Sequence, residues 1–182
     1  DNGQKKSEQC FEDGKPAGIH TFWKKDGERK QCVKYLRNGS RYEGELKDGA
    51  CHGQGTMYYV DGREYEGEWS NGKKHGQGSL NYGEGKKYQG GWEKGKKHGE
   101  GIYHNSQDDF YEGEWKNGKL IRRIRGQGLL KLKDGSRFDG QWKGNDRKPH
   151  GQGKMAYANG NLYEGQWENG KKHGQGVLQY AN

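Results

Sequence analysis

The sequence predicts an all-β fold: a single antiparallel sheet of stacked hairpins, shaped as a rod or trough, with no significant helix. Three observations predict it. A motif recurs six times at spacings of 23 to 27 residues, aromatic and polar residues alternate within each copy, and Asn-Gly or Asp-Gly pairs separate the alternating stretches. Because one hairpin follows another without a break, the hairpins should pair in chain order.

The composition also favours a regular aromatic architecture. Only 26% of the 182 residues are hydrophobic, but they include 12 Tyr and 6 Trp beside 35 Gly. So little aliphatic surface is typical of a disordered chain, whereas large rings bury much area per residue. A large aliphatic enzyme core is not expected, and no stretch approaches the ~20 apolar residues of a transmembrane helix.

The first half of each copy predicts a strand with a ring near each end. In Tyr65-Glu-Gly-Glu-Trp69, strand alternation places Tyr65, Gly67 and Trp69 on one face, and Glu66 and Glu68 on a solvated face. We call the first side the aromatic face and expect it to form a groove for a partner. Its predicted residues are Tyr65, Trp69, Tyr88, Trp92, Tyr111, Trp115, Phe138, Trp142, Tyr163 and Trp167.

The second half of each copy begins with His-Gly-Gln-Gly or a close variant and predicts a second strand. In the first copy, alternation places Gly53, Gly55, Met57 and Tyr59 on the aromatic face. Rings of neighbouring strands are expected to lie over these bare glycines. The motif starts at His52, His75, His98, His150 and His173, with Arg125 in place of the histidine in one copy.

The turns define the organisation of the chain. Asn71-Gly72 is typical of a tight turn within a copy, and Asp61-Gly62 lies between copies. Residues 1–41 are expected to be degenerate copies that cap the array. Insertions at 119–125 and 144–149 lengthen two turns, and Ile121-Arg-Arg-Ile-Arg125 is a candidate partner-specific loop. The six copies are predicted to span 42–64, 65–87, 88–110, 111–137, 138–162 and 163–182.

The Tyr-Glu-Gly-Glu-Trp strand, the Asn-Gly turn and the His-Gly-Gln-Gly motif together resemble the MORN (membrane occupation and recognition nexus) repeat. The resemblance covers residues 42–182 and, weakly, 11–41. It implies a curved single-sheet solenoid used as an interaction module. Membrane-lipid contact, peptide binding along the groove and dimerisation have been proposed within the family. Arg125 and the two lengthened turns depart from the family pattern.

A second candidate site is a basic stripe at one edge of the sheet, where the turns of successive hairpins would align. The stripe would hold anionic lipid headgroups or an acidic partner, at about 1 kcal/mol per cation near an anionic membrane. Solvated turn lysines that keep the protein soluble are the alternative interpretation. The predicted stripe comprises Lys73, Lys74, Lys96, Lys97, Arg122, Arg123, Arg125, Arg147, Lys148, Lys171 and Lys172.

Other chemistries fit the pattern poorly. Histidines on adjacent hairpins would stand ~10 Å apart, too far to share one zinc ion. Carboxylates such as Glu66 and Glu68 recur in several copies, whereas an enzyme builds a single constellation. The basic residues lie at an edge and not between rings that would stack bases. We therefore expect no enzyme activity, no metal and no cofactor, and nucleic acid is not the expected partner.

Three cysteines are an odd number, so at least one would stay unpaired. A disulfide between Cys10 and Cys32 would strengthen the N-terminal region, with Cys51 left over. Cysteine spacing alone leaves the redox compartment open. Both a secreted or periplasmic protein and a peripheral-membrane or cytoskeletal protein are compatible with the sequence.

Two functions from different classes follow. The first is a non-enzymatic scaffold that binds a protein, a peptide or a second copy of itself, through the aromatic groove or through the end strand near Tyr180. The alternative is a membrane-surface module that binds anionic phospholipid headgroups through the basic stripe. A third hypothesis is that the chain is the regulatory arm of a longer enzyme.

Overall fold

The computed structural model describes residues 7–12, 15–23, 29–106 and 108–182 of the chain. These residues form one open antiparallel sheet whose strands are hydrogen-bonded in chain order. The strands are β1 Ser7–Glu12, β2 Lys15–Trp23, β3 Arg29–Tyr35, β4 Arg41–Lys47, β5 Ala50–Tyr58, β6 Glu64–Ser70, β7 Lys73–Gly83, β8 Lys86–Glu93, β9 Lys96–His104, β10 Phe110–Lys116, β11 Lys119–Lys131, β12 Arg137–Lys143, β13 Lys148–Ala156, β14 Leu162–Glu168 and β15 Lys171–Gln179. The predicted all-β fold class is confirmed.

Two compact units divide the chain. The first comprises residues 1–83 and 89–97, and the second comprises residues 84–88 and 98–182. The same hairpin recurs in both. In the first unit β6 pairs with β7 so that Tyr65 lies opposite Leu80, and in the second β14 pairs with β15 so that Tyr163 lies opposite Leu178. Both compact units therefore contain the same hairpin, paired in the same register.

The Asn-Gly turns close the hairpins as predicted. Asn71 and Gly72 both have positive φ, 48° and 74°, which is the conformation of a type I′ turn. The Gly72 N–H also donates a hydrogen bond of 2.9 Å to the Cys51 carbonyl of the preceding copy. Gly170 donates in the same way to the Pro149 carbonyl at 2.8 Å. Each turn therefore contacts its neighbouring hairpin as well as closing its own.

An aromatic ring lies over the second glycine of the motif, as predicted, in five of the six copies, whereas in the fourth copy Gly128 faces Asp109. Tyr65 is fully buried, and a Cβ placed on Gly78 would stand 2.2 Å from its hydroxyl oxygen. The Tyr65 hydroxyl donates a hydrogen bond of 3.0 Å to the Glu68 carbonyl. Burial raises the pKa of this hydroxyl above its ordinary value. Only glycine leaves room for the ring.

Tryptophans join consecutive copies. Trp69 contacts the edge of Tyr42 at a centroid distance of 5.4 Å and the edge of Tyr65 at 5.1 Å. Its indole N–H donates a hydrogen bond of 3.0 Å to the Gly55 carbonyl of the preceding copy. Such edge-to-face pairs are worth about 0.5–1.5 kcal/mol each beyond the area that they bury. In the second unit Trp167 makes the equivalent contacts.

The prediction that both glycines of the motif face rings is wrong for Gly76, although it holds for Gly126, where a Cβ would stand 2.3 Å from the Trp142 ring. A register shift between Gly67 and Trp69 marks a β-bulge opposite them, and within it Gly76 has a φ of 53°. A Cβ on Gly76 would stand 2.3 Å from the Glu68 carboxyl group. The bulge reverses the alternation of faces, so this glycine faces the glutamate and not a ring.

The same bulge gives Glu68, an acidic position that recurs among the copies, a structural role in place of the predicted solvation. The Glu68 Oε1 atom accepts a hydrogen bond of 2.7 Å from the Gln77 N–H. Bulged backbone leaves an N–H without a ladder partner, and this side chain supplies one. Glutamate and glutamine are interchangeable in this role: the equivalent bonds are Glu45 to Gln54 at 2.9 Å, Gln141 to Gln152 at 3.1 Å and Gln166 to Gln175 at 3.0 Å.

The first insertion extends a strand and does not form the predicted loop. Residues 121–125 lie within β11, which has 13 residues. Two register shifts against β10 absorb the extra length. Here Tyr111 and Trp115 stack with their planes 23° apart, whereas the regular copies have edge-to-face pairs. The second insertion does form a turn, because β12 ends at Lys143 and β13 begins at Lys148.

Replacement of Gly78 by alanine tests the packing of ring on glycine. Gly78→Ala puts a methyl group 2.2 Å from the Tyr65 hydroxyl, and overpacking of this kind costs about 1–3 kcal/mol or more. Gly72→Ala is the matched control, since a Cβ there meets nothing within 4 Å and only the positive φ opposes it. Urea unfolding followed by tryptophan fluorescence should show a lower midpoint for Gly78→Ala than for Gly72→Ala. Equal midpoints would contradict the packing.

Replacement of Glu68 tests the hydrogen bond to the bulge. Glu68→Gln keeps the acceptor found at Gln141 and Gln166, so we expect stability within about 0.5 kcal/mol of the wild type. Glu68→Ala removes the partner of the Gln77 N–H and should cost about 1 kcal/mol. Thermal unfolding of the two variants side by side measures the difference. A glutamine variant as unstable as the alanine variant would show that charge matters and the hydrogen bond does not.

Candidate functional site

The rings of the aromatic face form the protein core. Nine of the ten predicted groove residues are 0–6% exposed, and Tyr111 is half-buried. Five of them donate to backbone carbonyls of the same sheet: the hydroxyls of Tyr65 and Tyr163 and the indoles of Trp69, Trp92 and Trp167. A partner on this side would therefore meet the residues that lie above and beside these rings.

Lysine–tyrosine pairs form this accessible layer. The Lys74 Nζ atom stands 5.3 Å from the centroid of the Tyr59 ring, Lys97 stands 5.3 Å from Tyr82, and Lys172 stands 5.1 Å from Tyr157. Each lysine belongs to the copy that follows its tyrosine. These three lysine–tyrosine pairs are cation–π contacts, and the tyrosines in them are half-buried.

Lys74 lies among three aromatic rings. Its Nζ atom lies 5.3 Å from the ring centroid of Tyr59, 5.1 Å from that of Tyr65 and 4.7 Å from that of Trp92. Burial lowers the pKa of the Lys74 ammonium to about 8, and it lowers that of Lys97 to about 8 as well. The ring faces favour the ammonium and so act against this desolvation.

The predicted basic stripe divides between the two faces of the sheet. Lys74 is the Cα partner of Trp69 and shares its face, whereas Lys73 pairs with Ser70 on the opposite face. Lys171 pairs with Glu168 on that same opposite face. Consecutive residues of a strand point to opposite sides, so a Lys-Lys pair cannot present both charges to one flat surface. The first lysine of each pair, Lys73, Lys96 and Lys171, is exposed.

The arginines of the stripe contact their own hairpin. Arg125 forms an ion pair of 2.5 Å with Glu112, and Arg122 forms one of 3.4 Å with Glu114. The Arg123 guanidinium lies 5.2 Å from the centroid of the Tyr111 ring. These exposed ion pairs contribute little stability, and they offset two of the five positive charges of β11. In the turn after β12, Lys148 stands 3.9 Å from Asp146.

The lysine of the aromatic face does not recur in every copy. Three copies have lysine at this position and three have other residues. The sequence analysis missed the lysine of the aromatic face because it treated each Lys-Lys pair as one basic unit. The doubled lysines together with strand alternation were the available signal. In chain order the position holds Cys51, Lys74, Lys97, Ile124, Pro149 and Lys172.

The cysteines do not form the expected N-terminal disulfide. Cys32 and Cys51 are free and buried, while the side chain of Cys10 lies outside those that the structure describes. Burial raises the pKa of the Cys51 thiol. No group of three metal-ligating side chains occurs within the described residues. Within the same residues, no helix is long and apolar enough to cross a membrane.

The fold and the repeated contacts define a tandem β-hairpin repeat protein. The MORN repeat profile matches the chain six times, and the chain belongs to the MORN repeat family. The fourth match ends at residue 120, where the strand insertion begins. A search of curated proteins gives no significant match. The matched segments are 42–62, 65–87, 88–108, 111–120, 138–162 and 163–182.

Stability should depend on pH through Lys74. Its pKa falls from 10.5 in a free lysine to about 8 here, so the unfolded chain binds more protons between these values and stability rises as pH increases through them. A fully buried amine of this kind would contribute ~3 kcal/mol. Partial solvent exposure and the facing rings reduce our expectation to about 1 kcal/mol.

Thermal unfolding at pH 7 and pH 9.5 measures this dependence. Lys74→Met keeps the apolar stem and removes the amine, so the increase in melting temperature between the two pH values should be smaller in the variant than in the wild type. Lys73→Met is the matched control on the opposite face, and it should retain the wild-type increase. An unchanged increase in Lys74→Met would show that this amine is not desolvated.

Proposed function

We propose that this protein is a non-enzymatic scaffold that binds a protein or peptide segment on its aromatic face. Members of the MORN repeat family generally mediate protein or membrane interactions. The observation that supports it is the row of half-exposed lysine–tyrosine pairs above a fully packed core. Aromatic rings beside cations are typical of binding surfaces, where tyrosine supplies contact area at low entropic cost.

The spacing of the pairs suggests what kind of segment fits. Lys74 and Lys97 occupy the same position in consecutive copies, two strands apart, or about 10 Å at ~4.8 Å per strand. An extended peptide covers this distance in three residues, and a helix covers it in seven. A segment with carboxylates at that spacing and apolar groups between them would contact both lysines and the rings of Tyr59 and Tyr82. Desolvated ammonium groups strengthen such ion pairs.

The repeated carboxylates support a scaffold over an enzyme. Glu68 and Glu45 accept hydrogen bonds from bulged backbone, so these acidic side chains have a structural task in each copy. Catalysis needs one constellation with distinct roles for its members. Repetition of the same contact along the sheet serves stability and presents similar contacts at regular intervals to a long partner.

Anionic membrane binding is the second candidate function. The exposed lysines Lys73, Lys96 and Lys171 favour it, since they occur at equivalent positions opposite the aromatic face. The ion pairs of Arg122 and Arg125 count against it. Self-association is a further form of the scaffold proposal, because Val177 and Tyr180 are 66% and 74% exposed on and just after β15.

Peptide selection on the wild-type protein tests the scaffold proposal. A displayed library of random peptides should yield binders rich in Asp and Glu with interspersed apolar residues. Each binder should lose at least tenfold in affinity when Lys74→Glu and Lys97→Glu are combined. The matched pair Lys73→Glu and Lys96→Glu should bind as the wild type does. Failure to select binders, or equal loss in both double variants, would contradict binding on the aromatic face.

The same two double variants separate the alternatives. Binding to vesicles of neutral phosphatidylcholine, with and without phosphatidylserine, tests the membrane-surface function. Binding to the phosphatidylserine vesicles that is lost only in the Lys73 and Lys96 double variant would favour that function. Light scattering over a concentration series gives the self-association arm. A molecular mass that rises with concentration in both double variants alike would favour pairing through an edge strand over the aromatic face.

A further inference from the structure

A cleft of about 670 Å³ lies in the second unit, lined by side chains of β9 to β13. Ile102, Phe110, Ile124 and Trp142 provide its apolar part. The volume falls within the ~300–1,000 Å³ typical of sites for small molecules. The cleft is formed where the repeat is least regular, beside the strand insertion in β11.

Its apolar residues occupy positions that the repeat does not require to be apolar. Ile102 stands where other copies have Thr56 and Ser79, and Phe110 stands where they have Glu64 and Lys87. Ile102 is 36% exposed in spite of its aliphatic side chain. Leu129 and Val177 are apolar counterparts of Ile102, and Leu162 is one of Phe110, but the remaining copies have polar residues at both positions. The fold therefore does not require an apolar side chain at either position.

The polar side of the cleft favours an anion. Arg125 and Lys143 provide two positive charges against the single carboxylate of Glu112. Arg125 is already paired with Glu112 at 2.5 Å, whereas Lys143 forms no ion pair within the described residues. Gln141 uses its Oε1 atom to accept the Gln152 N–H, so its amide NH₂ group is the part left to donate to a ligand.

His150 also lines the cleft. Its Nδ1 atom is buried without a hydrogen-bond partner among the described residues, but so is that of His52 at the equivalent position of the first copy, which does not line the cleft. The buried imidazole is therefore a feature of the repeat, and the apolar residues and the charge of the cleft are what indicate a ligand.

We propose that the cleft binds a small amphipathic carboxylate, with its hydrocarbon part against Ile102, Phe110 and Trp142 and its carboxylate at Lys143. A hydrocarbon chain or ring needs the apolar floor, and its single negative charge matches the net positive charge of the cleft. This site lies on residues of β9 to β13 that do not include the lysine–tyrosine pairs, so it is independent of the proposed scaffold function.

Fluorescence of 1-anilinonaphthalene-8-sulfonate, an apolar dye with one negative charge, tests the proposal on the full chain. The dye should bind with one high-affinity site and be displaced by decanoate. Decylamine, which has the same chain with a positive charge, should displace it at least tenfold less effectively. Equal displacement by both compounds would overturn the preference for an anion.

Variants place the site. Lys143→Met should weaken decanoate binding at least fivefold, and Lys131→Met, which removes a lysine of β11 outside the cleft, should not change it. Ile102→Ser introduces the residue of an equivalent position, Ser79, so the fold should persist and decanoate affinity should again fall at least fivefold. Melting temperatures within a few degrees of the wild type confirm folding. Wild-type decanoate binding in Lys143→Met and Ile102→Ser would overturn the proposal.

Discussion

The contact between an aromatic ring and the bare backbone of a glycine on the next strand determines the rest of this structure. Tyr65 over Gly78 and Tyr163 over Gly176 are the same contact in the two units. It lets large rings replace the aliphatic core that a chain with 26% hydrophobic residues lacks. Because Trp69 and Trp167 then pack against rings of two consecutive copies, the interactions that build one hairpin also attach it to its neighbour.

This use of the rings limits where function can reside. The rings that the sequence predicts as a binding groove are used in packing, and the Tyr65 hydroxyl and the Trp69 indole donate to backbone carbonyls. Two kinds of site remain. One is the set of lysine–tyrosine pairs, of which Lys74 and Lys97 lie in consecutive copies and suit a peptide segment. The other arises where a copy departs from the pattern, as at Ile102 and Phe110, which suits a small ligand at one place.

Sequence reasoning predicted the fold, the tight turn at Asn71-Gly72 and the shared face of Tyr65 and Trp69, because period and alternation determine them. It failed where a bulge intervenes. The bulge at Gly76 adds residues to one strand only, so alternation counted along the chain assigns that glycine to the wrong face. The bulge also hid the role of Glu68, whereas Lys74 was missed because Lys-Lys was treated as one basic unit. The cleft lies beside a register shift in β11 that no local pattern reveals.

A double-mutant cycle between Tyr65 and Gly78 tests the central contact most directly. If the loss in Gly78→Ala comes from collision with the ring, then Tyr65→Leu, which removes the hydroxyl and shortens the side chain, should relieve part of it. The loss of unfolding free energy in the double variant should then be smaller than the sum of the two single-variant losses by at least 1 kcal/mol. Losses that add within about 0.3 kcal/mol would show that the ring and the glycine are energetically independent, which would contradict this account of the fold.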